Sequence, residues 1–421
     1  MLATRSQTSP ARPAGFAASS LALIGAAALL ATSAPHSAAE SGAAPEQGTS
    51  VVVLIGDGMG AVQRAAFQYK LYGKHVRQPI DDFDHFGLLR THAKGGGIAT
   101  DSAAAATAMA TGVKTKRNYA GVGPDGKPRK TLLEIAAELG KSTAIVEDND
   151  VTNATLAGFA AHHDDRDHKR IIAKQYLRKT RPDLIFGGGE EVWYPKGHPG
   201  KVPDMIEDDA SYGTENLVAE AKRRGYQYAW DRKSFARLKG PKALAMTRTD
   251  AILRSVFIRK YDYKNDPYAV PEHEMVAKAL EIMSEDPEGF FMAIDVDEID
   301  DAGHEHSPRL LFRSGAEINR IATVLKRYQR NHPNTLVIVT ADHETGGLGI
   351  EAHYQLGGAG VFPVAGSPEH FRLDWTTPGH TAVPVPVTSS GPGSARLEGV
   401  RDNTRVFDVA KKVLEGETGH R

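Results

Sequence analysis

Asp57 directly follows the apolar run VVVLIG, Asp295 ends FFMAID, and the pair Asp342-His343 follows TLVIVTA. Each is a metal-donor side chain standing where a β-rich run gives way to a turn. Taken singly, an aspartate in such a place is an ordinary turn former or helix cap. DEIDDAGHEH adds Asp300 and His304 at spacing i, i+4, which on a helix stacks carboxylate and imidazole on one face. His306, two residues further on, points elsewhere. His380 follows a Pro-Gly turn in TTPGHTAVPVPV. Together these residues are the inventory of a multi-metal site built from oxygen and nitrogen donors.

Ser102 is the candidate nucleophile. It stands with Thr100 and Asp101 before an alanine-rich run, where a polar residue is ordinarily a helix cap; Asp101 can fill that role. The same helix N-terminus offers free N–H groups and positive potential that suit a phosphate anion. No G-x-S-x-G elbow surrounds Ser102 to supply a histidine base, so metal coordination is the remaining route to an alkoxide.

Such side chains need a rigid frame that brings strand ends together. VVVLIG (51–56), TAIVED (143–148), PDLIFGGG (182–189), FFMAID (290–295) and NTLVIVTADH (334–343) read as strands buried on both faces. Helical patterns lie between them, at Ser102 to Thr111, Lys130 to Leu139, Met275 to Met283 and Leu311 to Tyr328, with a last helix at Val406 to Leu414. The alternation predicts a doubly wound α/β fold, with a mainly parallel central sheet and helices on both faces. In such sheets ligands bind outside the carboxyl ends of the strands, where Asp57, Asp295 and Asp342 stand.

Residues 190–270 depart from the pattern: they are aromatic and charged, with Trp193, Tyr194, Tyr212, Tyr226, Tyr228 and Trp230 and one helical stretch at Glu215 to Arg224. They are expected as an irregular insertion beside the main sheet. The segment from Tyr354 to Pro378 is a second irregular one.

Composition narrows the function classes. The chain of 421 residues carries 51 basic and 52 acidic side chains, so no global field points to nucleic acid or to an anionic membrane. No nucleic-acid-binding module is evident. Cysteine is absent, which removes disulfides, a thiol nucleophile and thiolate zinc sites, and leaves 17 histidines as the softer ligands. Arg5 and Arg12 precede FAASSLALIGAAALLA, which ends in small residues at Ser37-Ala38-Ala39. That pattern predicts a signal peptide over residues 1–39 and an exported, periplasmic or extracellular protein. No other segment approaches membrane length, so no stable span is expected after cleavage.

The blocks LIGDGMG, TDSAAAATAMATGVKT, VTNAT with AAHHDDR, EIDDAGH, TADHETGG and TPGHTAVPVPV, in this order, resemble the motif series of the alkaline phosphatases. The matches run from Val51 to Val387, within a catalytic domain expected over 46–417. The resemblance implies hydrolysis of small phosphate monoesters through a phosphoserine on Ser102, two Zn2+ ions and one Mg2+ ion per subunit, and a homodimer. It places Arg166 on two phosphate oxygens, a task for which a guanidinium is shaped. It assigns Asp300, His304 and His380 to the first zinc, Asp57, Asp342 and His343 to the second, and Asp57, Thr155 and Asp295 to magnesium.

Three positions depart from the family pattern. Asp295 stands where a glutamate followed by glycine is usual; one methylene shorter, it implies that magnesium shifts, takes a bridging water or is lost. Asn153 stands where His or Asp is usual and would orient a magnesium-bound water rather than ligate zinc. Asp301 occupies a place where Lys, His or Trp is common, so an anion replaces a phosphate-facing cation. Rival readings are a phosphodiesterase or nucleotide pyrophosphatase, a sulfatase or a phosphoglycerate mutase of the same metal pattern, and a non-catalytic exported metal- or phosphate-binding protein. Sulfatases need Cys or Ser before x-P-x-R, which Ser102-Ala103-Ala104 is not, and the non-catalytic reading is expected to have lost Ser102 or Arg166.

Overall fold

A computed structural model describes residues 48–198, 200–202, 213–248, 268–353 and 360–417. The signal-peptide segment 1–39 and Tyr212 lie outside the described residues. Ten strands form the main sheet: β1 (Ser50–Gly56), β2 (His85–Arg90), β3 (Ser142–Asp150), β4 (Leu184–Gly188), β5 (Gln227–Ala229), β6 (Ala243–Arg248), β7 (Phe290–Val296), β8 (Thr335–Thr340), β14 (Val385–Ser390) and β15 (Gly399–Asp402). Between β8 and β14 lie β9 (Glu344–Thr345), β10 (Leu348–His353), β11 (Val361–Pro363), β12 (His370–Trp375) and β13 (His380–Thr381).

The order across the main sheet is β15-β2-β14-β8-β1-β7-β3-β4-β6-β5. From β8 to β5 every pairing is parallel, and β14 is antiparallel to both of its neighbours. β1, β7 and β8 are buried along their whole length, which is why their sequences are unbroken apolar runs rather than alternating ones. Register places Ile55 beside both Asp295 and Thr340, so the turns carrying Asp57 and Asp342 open at one end of the sheet, beside Asp295.

The helices are α1 (Ala61–Phe67), α2 (Ser102–Thr111), α3 (Leu132–Glu138), α4 (Ala154–Ala160), α5 (Lys169–Gln175), α6 (Leu217–Arg223), α7 (Arg232–Phe235), α8 (Glu272–Met283), α9 (Glu298–His304), α10 (Pro308–Asn331) and α11 (Arg405–Leu414). They pack in two groups, α2, α3, α4 and α11 in one and α1, α8, α9 and α10 in the other, covering both faces of the sheet.

All ten residues of α2 are buried, so its alanines are core residues and not one face of an amphipathic helix. Their smallness lets α4 lie close: a Cβ added at Gly158 would come within 2.8 Å of the Ala106 Cβ and 2.9 Å of the Thr107 N. α2 and α4 are thereby locked together, with Ser102 and Thr155 at their N-terminal ends.

One expectation is corrected. The 190–270 stretch was expected beside the main sheet, but its described part adds β5 and β6 to the sheet's edge. β5 is only three residues long and β6 reads Ala-Leu-Ala-Met-Thr-Arg, with little β-branched character to mark it. Small antiparallel sheets, β10-β12-β11 and β13-β9, form an inserted unit between β8 and β14, within and on both sides of the second irregular segment.

Candidate active site

α2 begins at Ser102, and its cap is Asp101, whose Oδ1 accepts from the Ala104 N–H at 3.2 Å. The other oxygen, Oδ2, accepts from the Asn118 N–H at 2.8 Å, so the carboxylate anchors two segments. The first main-chain bond of the helix runs from the Ala105 N–H to the Asp101 carbonyl. The N–H groups of Ser102 and Ala103 therefore precede the helical ladder and are available to an anion.

Ser102 Oγ lies 3.2 Å from His343 Nε2. That same nitrogen is 3.0 Å from Asp342 Oδ2 and 3.4 Å from Asp57 Oδ1, and neither of those oxygens accepts a hydrogen bond. A hydroxyl, an imidazole and two carboxylates thus crowd one point in a fully buried place. Four mixed O and N donors around a point form the set that a tetrahedral zinc takes.

A second group is made by α9 and the first residue of β13. Asp300 and His304 do share a helical face, with His304 Nε2 3.0 Å from Asp300 Oδ2. His380 Nε2 lies 3.2 Å from His304 Nε2 and 3.6 Å from Asp300 Oδ1. Two ring nitrogens this close cannot both carry a proton, and a cation between them resolves the contact. His306 points away as expected, its Nε2 on the Thr377 carbonyl at 2.9 Å and its ring stacked on Trp375.

In each of the three imidazoles the far nitrogen is tied. His304 Nδ1 meets the Pro378 carbonyl at 2.5 Å, His380 Nδ1 the Thr100 carbonyl at 3.0 Å, and His343 Nδ1 the Thr345 hydroxyl at 3.1 Å. A carbonyl can only accept, so it selects the Nδ1–H tautomer and leaves the Nε2 lone pair facing inward. Thr345 in turn donates to Asp300 Oδ1 and so links the two groups. Its role was missed in the sequence, although it lies inside TADHETGG.

Thr155 donates to Asp57 Oδ2 at 3.0 Å, as the third group requires, but the carboxylates that gather there are Asp57, Asp295 and Asp297. Asp297 was passed over. The only available signal was its spacing of two from Asp295.

Arg166 approaches from the more open side. Its guanidinium lies 3.5 Å from Ser102 Oγ, 3.8 Å from Asp101 Oδ2, and donates to Asn153 Oδ1 at 3.1 Å. Asn153 caps α4 with the same oxygen and donates its own amide to Asp297 Oδ1 at 3.1 Å. Asp301 is half-buried on α9, near enough for its charge to be felt by His304.

Electrostatics agree with a site shaped for cations. Burial, followed by the charges of Asp342, Asp300 and Asp295, pushes the Asp57 carboxyl well up; burial and Asp297 do the same to Asp295. The hydrogen bond to Asp300 lifts His304 to about 9, against the effect of burial. His380 is pressed down to about 4 by burial and by the charge of His343. Concentrated, opposed shifts of this kind accompany functional sites.

The family model described as alkaline phosphatase matches residues 49–365. Alkaline phosphatase 3 of Bacillus subtilis (strain 168) is 28% identical over 442 aligned positions, covering 87% of this chain and 89% of its own. Streptomycin-6-phosphate phosphatase of Streptomyces griseus is 29% identical over 447 positions, with 93% and 96% covered. The solved alkaline phosphatase of the Antarctic bacterium TAB5 superposes with a TM-score of 0.72 at 25% identity, over 88% of this chain and 99% of that one. A buried serine amid two histidine-and-carboxylate groups, on a frame shared along nearly the whole length of these enzymes, places the chain in the alkaline phosphatase family, as a phosphoric monoester hydrolase.

Proposed function

We propose that this enzyme cleaves phosphate monoesters in two displacements at Ser102. Asp300, His304 and His380 would hold one zinc and Asp57, Asp342 and His343 another; bound there, the pair supplies Lewis-acid charge neutralisation and lowers the pKa of Ser102 and of the attacking water. Ser102 Oγ loses its proton and attacks phosphorus in line; the ester P–O bond breaks, and the alcohol leaves with a proton. A water oxygen then attacks the phosphoserine, releasing inorganic phosphate and restoring the hydroxyl.

Arg166 holds two non-bridging oxygens from the open side, and the N–H groups at the start of α2 face the same dianion. Asp101 and Asn153 hold the guanidinium in place. The observation that carries this reading is the convergence on His343 Nε2 of Ser102 Oγ and two carboxylate oxygens without hydrogen bonds. Export and a homodimer belong to the same reading. They rest on the apolar run of the first 39 residues and on the resemblance, and no helix among the described residues is long and apolar enough to cross a membrane.

The test compares wild type with Ser102→Ala on a nitrophenyl monoester and on a bis-nitrophenyl diester, before and after chelation and zinc readdition. Wild type should favour the monoester, lose activity on chelation and regain it with zinc, and Ser102→Ala should lose at least about 10³ in kcat. Full activity in the alanine variant would overturn the mechanism, and a diester preference would shift the assignment to a phosphodiesterase.

A further inference from the structure

Position 295 lacks a longer acid, and the residues around it supply what is missing. Asp295 lies in β7, and Asp297 follows two residues later, past the end of the strand and just before α9. Ligand oxygens of Asp57, Asp295 and Asp297 lie within 4.8 Å of one another. Asp297 is more than nine-tenths buried and firmly placed: Asn149 and Asn153 donate side-chain amides to its two oxygens at 2.6 and 3.1 Å, and its own N–H donates to Asp148 Oδ1 at 2.9 Å.

Alongside lies Glu147 of β3, in register with Asp295 and fully buried, with no hydrogen bond to either oxygen. Neither oxygen of Asp295 accepts a hydrogen bond of good geometry, although the Thr155 hydroxyl lies beside it. Among the described residues no lysine or arginine pairs with Asp57, Glu147 or Asp295. Carboxylates so placed must either hold protons or share a cation, since each buried unpaired charge costs several kcal/mol. The donors are all oxygens, which suits a hard divalent ion such as magnesium rather than zinc.

We propose that Asp297 is a ligand of the third cation, acting with Asp57 and Asp295 in place of a single longer carboxylate, and that Asn153 ties this ligand to Arg166. The proposal rests on the metal-centre reading above. The tie needs an amide: Asn153 Oδ1 accepts from Arg166 while Asn153 Nδ2 donates to Asp297, and a carboxylate has no proton for the second bond. The third site is thereby connected to the group that grips phosphate.

The experiment titrates magnesium into zinc-loaded, magnesium-free enzyme by calorimetry, with elemental analysis of zinc and magnesium on the same samples. Wild type should bind one magnesium beyond two zinc ions, and Asp297→Asn should keep its zinc while binding magnesium at least about tenfold more weakly. The double variant Asp295→Glu/Asp297→Asn, which returns the reach to position 295, should recover the affinity to within about threefold of wild type. The proposal is overturned by zinc-loaded wild type that takes up no magnesium, by unchanged affinity in Asp297→Asn, or by a folded, zinc-loaded double variant that binds none. Wild type that takes up no zinc refutes the two-zinc reading instead, and elemental analysis distinguishes the two failures.

Discussion

At the scale of single residues, the charge at Asp301 has the most direct consequence for turnover. It lies on α9 near His304, where on the proposed two-metal reading its anion would oppose a bound phosphate dianion. Replacing it by lysine reverses a unit charge, which against a nearby dianion in a solvent-like dielectric is worth on the order of 1–2 kcal/mol. Asp301→Lys should therefore bind inorganic phosphate roughly tenfold more tightly, read as a lower inhibition constant. An unchanged constant would show that the carboxylate does not act on bound phosphate. At this scale Asp57, Asp342 and His343 stood out as metal donors at strand ends and Asp300 with His304 by their i, i+4 spacing, whereas Arg166 was singled out only by the resemblance of its motif. Thr345 and Asp297 were not legible, because a threonine or a second aspartate becomes informative only when its neighbours are known.

At the scale of elements, the placement of Ser102 depends on a contact between two short helices. Gly158 leaves just enough room for α4 to lie on the Ala106–Thr107 turn of α2. Gly158→Ala should force the helices apart, cost about 1–3 kcal/mol of stability and lower kcat as Ser102 and Thr155 separate. Equal stability by denaturant titration, with equal kcat, would mean that the backbone absorbs the methyl at no cost. The strands hardest to see in sequence were β2, β14 and β15. β14 contains Pro386, ordinarily a mark against a strand, but its pairing with β8 begins only at Thr388, past the proline. Gly87 in β2 meets backbone atoms of Leu397 and Gly399 at a distance no side chain tolerates, a constraint that exists only after the chain has folded.

At the scale of the whole molecule, the enzyme folds around charges that a metal-free chain must otherwise neutralise with protons. Asp57, Glu147 and Asp295 have carboxyl groups pushed well up, by burial first and by neighbouring carboxylates second (Asp342 for Asp57, Asp295 for Glu147, Asp297 for Asp295), and His304 is lifted to about 9 chiefly by Asp300. All four groups hold more protons folded than unfolded, so their contribution to stability falls as pH rises, for His304 between its ordinary value and about 9. Chelated enzyme should thus lose stability from pH 6.5 to pH 9 in thermal or urea melts. Metal-loaded enzyme should gain about 4 kcal/mol per site at a thousandfold excess over Kd, with a flatter pH profile. A metal-free midpoint that rises over this range would contradict the placement of these acids. The sequence by itself determined the class of fold and the strand ends at which metal donors stand, because buried strands and metal donors are written in local runs and residue types; it singled out Ser102 as candidate nucleophile only through the motif series as a whole. Only the tertiary structure decided that part of residues 190–270 extends the main sheet, that α2 packs on α4 through Gly158, and that Asp297 joins Asp57 and Asp295. Those facts depend on which distant segments become neighbours, and local propensity does not encode that.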